Sequence, residues 1–466
     1  MFEKWRVGPR QEIWTKGLVI TLFVFSGAVF TLRGPFRALS NNGLNDLISP
    51  YVQSTAWVHG ADPYSPQSLM TFWPKGVARP AAEEFQDGSI LIKHGIPTAY
   101  PMTCFALLAP FTVVPWPVLK LLSVAVTTGL FCGAVWSLVA LAGLDGWHKV
   151  VFVSAATLFA PFHTGNATCN PAIAAAELGL IAVWACEVNR KIASALLMSL
   201  SSGLKPQIGL FFLFYHIVRH YTARRDEVGR DWRVWGIALG TIVATAAIAV
   251  IRLSFAHVQW IPNYELDTRA LLNSGILGDF TEHNPTRFGL INLQVALYPL
   301  LHDRQAANIV AYLLGASLLL AWVVLMYRIK ARDSLLCLST LSVISLLPVY
   351  HRFYDAAVLI MPLCWVAVSI KSKPNRSAGI GFAAMAVFFL PGGSLLETLR
   401  DRGTIPSALN QAGWWNSFVM AHAVWCLLAL GIVLLYQMAA SVHIARTAVV
   451  NANFLRSEQE LRTLAS

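Results

Sequence analysis

The sequence predicts an all-α polytopic membrane protein. Of its 466 residues, 56% are hydrophobic and only 13% are charged, whereas roughly a quarter of an ordinary soluble domain is charged. The apolar residues come in long blocks, and a helix that crosses about 30 Å of hydrocarbon needs about 20 of them. The blocks also lack the strict alternation of a transmembrane β-barrel. Together these observations exclude a cytosolic enzyme, a disordered scaffold and a disulfide-rich secreted domain.

Most of the apolar blocks have the length and composition of membrane-spanning helices. In order, they lie close to residues 17–32, 98–116, 118–142, 150–163, 171–187, 192–218, 234–253, 288–301, 307–327, 334–350, 353–370, 378–390 and 416–440. Because proline removes a backbone donor and clashes with the preceding turn, block 192–218 should break at Pro206 into two helices that meet at Lys205. Block 98–116 is rich in proline, and block 288–301 is short, contains Asn292 and Gln294, and ends at Pro299. We therefore interpret both as interfacial or re-entrant segments and expect about 12 transmembrane helices.

The basic residues predict the orientation of this bundle. The net charge of +11 is concentrated at block ends, as the positive-inside rule requires, so it does not indicate nucleic-acid binding. The rule places both termini in the cytoplasm, with residues 442–466 as a cytoplasmic tail. Residues 33–97 and 254–306 then form extracytoplasmic loops of a single transmembrane domain spanning 1–466. A second topology keeps 192–218 whole and makes 98–116 a span, which leaves Arg190 and Lys191 outside.

Polar residues in the outer loops and at helix breaks are the candidates for chemistry. Asp46 follows the first block closely, and a partly desolvated carboxylate there could act as a general base, or simply cap a helix. Lys205 is an ionisable residue inside an apolar block, which suggests a bound lipid phosphate or a snorkelling side chain. His351 and Arg352 could bind phosphoryl oxygens, although Arg352 could instead pair with Asp355 three residues on.

Two asparagines are further candidates for substrate binding, and several common catalytic motifs are absent from the sequence. Asn166 and Asn170 could bind sugar hydroxyls, or Asn170 could cap the helix that starts near Pro171. Phosphate-binding loops, dinucleotide fingerprints, nucleophile elbows and zinc-protease motifs are all missing. The seven cysteines show no C-x-x-C spacing, so they predict neither a disulfide framework nor a metal site. We expect no cofactor and no metal.

These residues, in their order and spacing, resemble the GT-C superfamily of membrane glycosyltransferases. The closer resemblance is to glycosyltransferase family 87, the polyprenyl-phosphate-mannose-dependent α-(1→2)-mannosyltransferases. The resemblance runs over about residues 17 to 370 and rests on the following elements: Asp46-Leu47 with Tyr51, Gly60-x-Asp62-Pro63-Tyr64, Tyr100-Pro101, Gly165-Asn166 with Asn170, Gly203-Leu204-Lys205-Pro206, and His351 before Tyr354-Asp355. It implies a GT-C-type bundle in the cell membrane, with its active site on the extracytoplasmic face.

The resemblance also implies roles for the candidates. Asp46 would be the catalytic base of an inverting sugar transfer, while Lys205 would face the lipid phosphate and His351 the reaction centre. Tyr64, with Arg352, Asn166 and Asn170, would bind substrate. The partners would be a polyprenyl-phosphate sugar donor, expected to carry mannose, a lipid-linked or glycan acceptor, and membrane lipids. Two alternatives stay open: a secondary transporter or lipid flippase, and a GT-C transferase of another sugar.

Overall fold

The computed structural model describes residues 9–40, 46–77, 100–222, 231–273, 278–329, 333–372, 376–390 and 392–442. Within these ranges the chain is helical, and the only β-type pairing is an isolated bridge between Leu290 and Arg352. The predicted tail, 442–466, falls outside the described residues except for its first one. The all-α class predicted from the sequence is therefore confirmed.

The helices are short where the sequence carries proline and long where it is uniformly apolar. Those of the first half are α1 (Pro9–Thr31), α2 (Arg37–Ser40), α3 (Ile48–Val58), α4 (Pro66–Thr71), α5 (Met102–Leu108), α6 (Trp116–Leu141), α7 (Gly146–Leu158), α8 (Ala160–Thr168), α9 (Pro171–Glu187), α10 (Lys191–Leu204) and α11 (Pro206–Thr222). Those of the second half are α12 (Trp232–Phe255), α13 (Ile261–Asn273), α14 (Leu293–Leu301), α15 (Arg304–Arg328), α16 (Ser334–Leu346), α17 (Ile360–Ser372), α18 (Arg376–Ala386), α19 (Gly392–Asp401), α20 (Ser407–Gln411) and α21 (His422–Val442).

Six helices of the described chain are long and apolar enough to cross a membrane. They are Lys16–Ser40, Trp116–Leu141, Trp232–Phe255, Arg304–Arg328, Phe353–Lys371 and His422–Val442. These helices support a membrane protein, whereas the count of about 12 spans, the single domain and the sidedness remain predictions. Helices α9, α16 and α17 contribute the most uniformly buried residues of the main core, so they lie inside the bundle.

The first helix is longer than the sequence indicated, which corrects the start of the loop predicted at 33–97. The helix continues past Arg33 to Ser40 through a π-helical turn, Leu32–Phe36, that contains Pro35. A π-type turn accommodates the missing proline N–H without ending the helix. Gly34, in this turn, lies against His163 and Asn166 on α8. Tertiary packing therefore holds the helix together where local signals favoured its end.

The break predicted at Lys205 is confirmed. Lys205 has an extended backbone (φ −148, ψ 95) between α10 and α11, and Pro206 opens α11 as a proline in the first turn can. The Lys205 carbonyl accepts the N–H groups of Ile208 (3.0 Å) and Gly209 (2.9 Å). The break is thus a closed, hydrogen-bonded feature that holds the Lys205 side chain in a fixed direction.

A glycine makes this break possible, and its replacement should be costly. A Cβ atom at Gly209 would overlap the backbone of Ser201 and Ser202, which cannot move aside as a flexible side chain could. We expect Gly209→Ala to lower the free energy of unfolding by about 1–3 kcal/mol, the usual cost of overpacking, measured by thermal or denaturant unfolding in detergent. Gly129→Ala on α6 is the control, because nothing lies within 4 Å of its added Cβ; an equal loss there would contradict the argument.

The remaining segments agree with the sequence in part. In its described part the proline-rich block forms the short α5 and a 3-10 turn, Ala109–Phe111, and the short block 288–301 forms α14. Neither helix has the 18 residues of a candidate span, so the interfacial interpretation stays a prediction. Helix α8 ends at Thr168, and Cys169 then adopts the left-handed conformation (φ 50) before α9 begins. The described parts of 254–287 contain α13, and α19 and α20 lie within 392–415.

Candidate functional site

Asp46 and Asn170, which are far apart in sequence, form the centre of the candidate site. The Asp46 carboxylate accepts a hydrogen bond from Asn170 Nδ2 (2.9 Å), and the Asp46 N–H donates to the Thr168 carbonyl (2.7 Å). Asn170 Oδ1 accepts the N–H of Ala172 (2.8 Å), so Asn170 caps α9 and orients Asp46 at once. Leu47, not Asp46, is the N-cap residue of α3. Among the described residues, Asn170 is therefore the one side-chain hydrogen-bond partner of the half-buried Asp46 carboxylate.

A second buried cluster joins the break at Lys205 to the 3-10 helix Phe353–Leu359, which leads into α17. The Lys205 ammonium lies 3.0 Å from Asp355 Oδ1, with side-chain exposures of 8% and 0%, and 5.1 Å above the ring of Tyr354. His351 Nδ1 lies 3.2 Å from Asp355 Oδ2, which also accepts the N–H of Arg352 (2.9 Å). Asp355 is thus the shared acceptor of a lysine, a histidine and a backbone amide, which is how a buried charge is tolerated.

Electrostatics connects the two clusters. Burial raises the pKa of Tyr350 to about 12; the charge of Arg352 opposes this shift, and the charges of Asp355 and Asp46 add to it. Burial, followed by the charge of Asp46, likewise raises the pKa of Tyr100. Both aspartates therefore act on the same tyrosines. The phenols stay protonated near neutral pH, so they can donate hydrogen bonds but cannot serve as bases.

The sequence candidates divide between this site and its surroundings. Asn166 is 2% exposed, and neither its Oδ1 nor its Nδ2 has a hydrogen-bond partner among the described residues. Nε2 of His351 is likewise buried without one. Tyr64, by contrast, is committed to the fold: its hydroxyl donates to the Tyr100 carbonyl (2.8 Å) and the residue is 1% exposed. The structure thus brings Asp46, Asn170, Lys205, His351 and Arg352 together. The Tyr64 hydroxyl, by contrast, is used in a hydrogen bond within the fold.

Asp355 belongs to this buried cluster, although it is not among the site residues predicted from the sequence. The spacing along the chain allows a side-chain pair between Arg352 and Asp355, but the contact in the structure uses the Arg352 backbone N–H. A signal was present, because Asp355 and Lys205 are both ionisable residues in otherwise apolar blocks. Charges in such positions are almost always paired with one another, so an unmatched lysine and an unmatched aspartate should have been tested as a pair.

An apolar groove begins beside this polar site. Its volume is about 360 Å³, and it lies between α5 and α6 on one side and α9 and α10 on the other. Leu47, which follows Asp46, and Leu204, which precedes Lys205, both line it, and Asn170 contributes to its lining as well. The groove can accommodate a hydrocarbon chain whose polar end reaches Asp46 and Lys205.

A second pair of carboxylates consists of Asp62, which follows α3, and Asp267, which lies on α13. Asp62 accepts the N–H of Tyr64 (2.9 Å) and the amide of Asn263 (2.6 Å). Asp267 is 7% exposed, and its Oδ2 has no partner in the described chain. Burial, and then the charge of Asp62, raise the pKa of Asp267 from 3.8 to about 8.

This shift predicts a stability that falls with rising pH. The folded protein holds the Asp267 proton more tightly than the unfolded chain, so the stabilisation is complete below about pH 4 and is lost as the pH rises through about 8. We expect Asp267→Asn to flatten the fall in unfolding temperature between about pH 4 and 8. Glu265→Gln, an exposed neighbour paired with Arg269, should leave the profile unchanged. An unaltered profile in Asp267→Asn would contradict the assignment.

Comparisons with known proteins point to one family. A family model described as glycosyltransferase family 87 matches residues 98–362, more than half of the chain. The matched region includes Asn166, Asn170, Lys205, His351 and Arg352 but begins after Asp46. Searches of curated proteins and of solved structures gave no match. Among the residues that the structure describes, no group of three or more His, Cys, Asp or Glu side chains could hold a metal ion.

Proposed function

The chain belongs to glycosyltransferase family 87, and on that premise we propose that it transfers mannose from a polyprenyl-phosphate donor at the extracytoplasmic face. The acceptor in this proposal is lipid-linked or part of a glycan. Membership establishes a membrane glycosyltransferase rather than a secondary transporter or flippase. Beyond family membership, we propose the identity of the donor, its sugar and the acceptor, the side of the membrane that carries the site, and the catalytic base.

The observation that carries the proposal is the meeting of the polar site with the apolar groove. A polyprenyl-phosphate sugar has a long hydrocarbon tail, one phosphate and a sugar head. The groove suits the tail, since Leu47 and Leu204 lead from it to Asp46 and Lys205. A soluble nucleotide sugar has no chain that would use such a groove. The arrangement therefore supports a lipid-linked donor.

The reaction needs one base and positive charge for the leaving group. Asp46 takes the proton of the acceptor hydroxyl while that oxygen bonds to C1 of the sugar. The bond from C1 to the phosphate oxygen breaks on the opposite face, which inverts the anomeric centre and releases polyprenyl phosphate. Phosphate leaves as an anion without protonation, so a second carboxylate acting as an acid, as in glycoside hydrolysis, is unnecessary.

The other residues position the two substrates in this proposal. Lys205 and Arg352 would hold the phosphate, with Asp355 balancing part of the charge of Lys205 until the donor binds. Asn166 and His351 Nε2 have buried polar atoms without partners among the described residues. Such atoms are costly unless a hydrogen bond forms, and sugar hydroxyls would supply it. Asn170 would keep the Asp46 carboxylate aimed at the acceptor.

Donor selection tests this function. The purified protein in liposomes is incubated with polyprenyl-phosphate-mannose, and sugar transfer or slow donor hydrolysis is measured. Parallel reactions use polyprenyl-phosphate-linked glucose and arabinofuranose, and a nucleotide sugar. We expect turnover of the mannose donor and none of the nucleotide sugar. Preferred use of another lipid-linked sugar would keep the class and overturn mannose, whereas turnover of the nucleotide sugar alone would overturn the lipid donor.

A further inference from the structure

We propose that a cationic cleft at the opposite end of α10 from Lys205 binds the anionic headgroup of a bilayer phospholipid. The cleft has a volume of about 750 Å³ and lies between the turn that joins α9 to α10 and the first turns of α12. Its lining combines polar and cationic side chains with aliphatic ones: Asn189, Arg190, Lys191, Arg233, Ile192 and Ile237. Nothing in the proposed sugar transfer uses these residues.

The cationic end of the cleft is built on a closed turn. Asn189 adopts a left-handed conformation (φ 61), which reverses the chain directly after α9. The N–H of Asn189 donates to the Cys186 carbonyl (3.0 Å) and that of Arg190 to the Ala185 carbonyl (2.7 Å). The Arg190 carbonyl then accepts the N–H of Ser194 (2.9 Å) at the start of α10. The backbone that carries Arg190 and Lys191 is therefore fixed before a ligand arrives.

Asp231 links the two walls of the cleft through the side chain of Lys191 and the backbone of Arg233. Its Oδ2 lies 2.6 Å from Lys191 Nζ, and its Oδ1 accepts the N–H of Arg233 (2.9 Å) at the start of α12. Lys191 is thereby neutralised. Neither Arg190 nor Arg233 forms a side-chain hydrogen bond or ion pair within the described ranges. Two guanidinium groups facing one cleft repel each other, and a shared anion would relieve that repulsion.

The position of the cleft favours a lipid over a soluble anion. The 14 residues of α10 span about 21 Å at 1.5 Å per residue, so the cleft and Lys205 lie at opposite ends of an apolar layer. Ile192 is 65% exposed, and Val243, further along α12, is 59% exposed, as side chains that face acyl chains are. A phospholipid places its phosphate directly above such chains, and basic pockets between transmembrane helices bind anionic headgroups.

Binding of phosphatidylglycerol tests the proposal. The full-length protein is placed in nanodiscs of phosphatidylcholine, and binding of fluorescent phosphatidylglycerol is titrated. At about 1 kcal/mol per basic side chain near the surface, the double variant Arg190→Gln/Arg233→Gln should bind about 30-fold more weakly. The control double variant Lys149→Gln/Arg376→Gln removes two exposed cations from α7 and α18 and should bind as the wild type does.

Three outcomes would overturn the proposal. The first is unchanged binding by Arg190→Gln/Arg233→Gln, and the second is an equal loss in the control variant, which would indicate non-specific attraction to the surface. The third is competition by millimolar inorganic phosphate, which would indicate a site for a soluble anion. Unfolding temperature and sugar transfer are measured in parallel. Both should be unchanged in the Arg190→Gln/Arg233→Gln variant in phosphatidylcholine, so a failure here is separate from a failure of the transferase assignment.

Discussion

Replacing Asp46 by asparagine should reduce sugar transfer about 10²- to 10⁴-fold, the range that a positioned general base contributes. The amide has nearly the same shape as the carboxylate, and its oxygen can still accept the hydrogen bond from Asn170 Nδ2. What is lost is the ability to take a proton from the acceptor hydroxyl. We therefore expect turnover to fall while donor binding and unfolding temperature stay close to those of the wild type.

The measurement is single-turnover transfer from polyprenyl-phosphate-mannose in liposomes, beside a binding titration with the same donor. Asp401→Asn is the matched control, because that aspartate is exposed and pairs only with the neighbouring Arg400 among the described residues. Activity above half of the wild-type rate in Asp46→Asn would remove Asp46 as the base. Since Asp355 is already occupied by Lys205 and His351, no second carboxylate of the described site could then take its place without rearrangement.

Replacing Asp355 by asparagine should have the largest effect on stability. The change leaves the buried Lys205 charge without its partner while keeping an oxygen for the Arg352 N–H. Removing one member of a buried ion pair costs about 3–5 kcal/mol. The unfolding temperature in detergent should fall accordingly. Asp145→Asn, which breaks the exposed pair with Lys371 (2.8 Å), is the control and should leave that temperature unchanged because solvent screens such pairs.

The double variant Lys205→Met/Asp355→Asn separates folding from donor binding. It removes the unpaired charge and should recover most of the lost unfolding temperature. If Lys205 also holds the donor phosphate, the recovered protein should still show a raised KM for the polyprenyl-phosphate donor. Recovery of stability together with a wild-type KM would make the pair structural only. A failure to recover stability would show that the Asp355 charge acts through His351 instead.

Local properties of the chain predicted the class, most of the helices and several site residues. Block length and hydropathy are properties of consecutive residues, so they placed the apolar helices α6, α12 and α15. Pro206 predicted the helix break for the same reason, since its missing N–H acts on its own turn. The unusual cost of a charge in an apolar block pointed to Lys205 without any knowledge of its neighbours.

The tertiary structure alone decided which of these residues meet. Asn170 donates a hydrogen bond to Asp46, 124 positions away in the sequence. Lys205 forms an ion pair with Asp355, which lies in the 3-10 helix Phe353–Leu359 of the second half of the chain. The first helix runs through Pro35 because α8 packs against Gly34. The Tyr64 hydroxyl donates its hydrogen bond to the Tyr100 carbonyl. None of these contacts follows from spacing along one helix. Each depends on how distant helices pack, and the need to pair buried charges and polar groups then selects the partners.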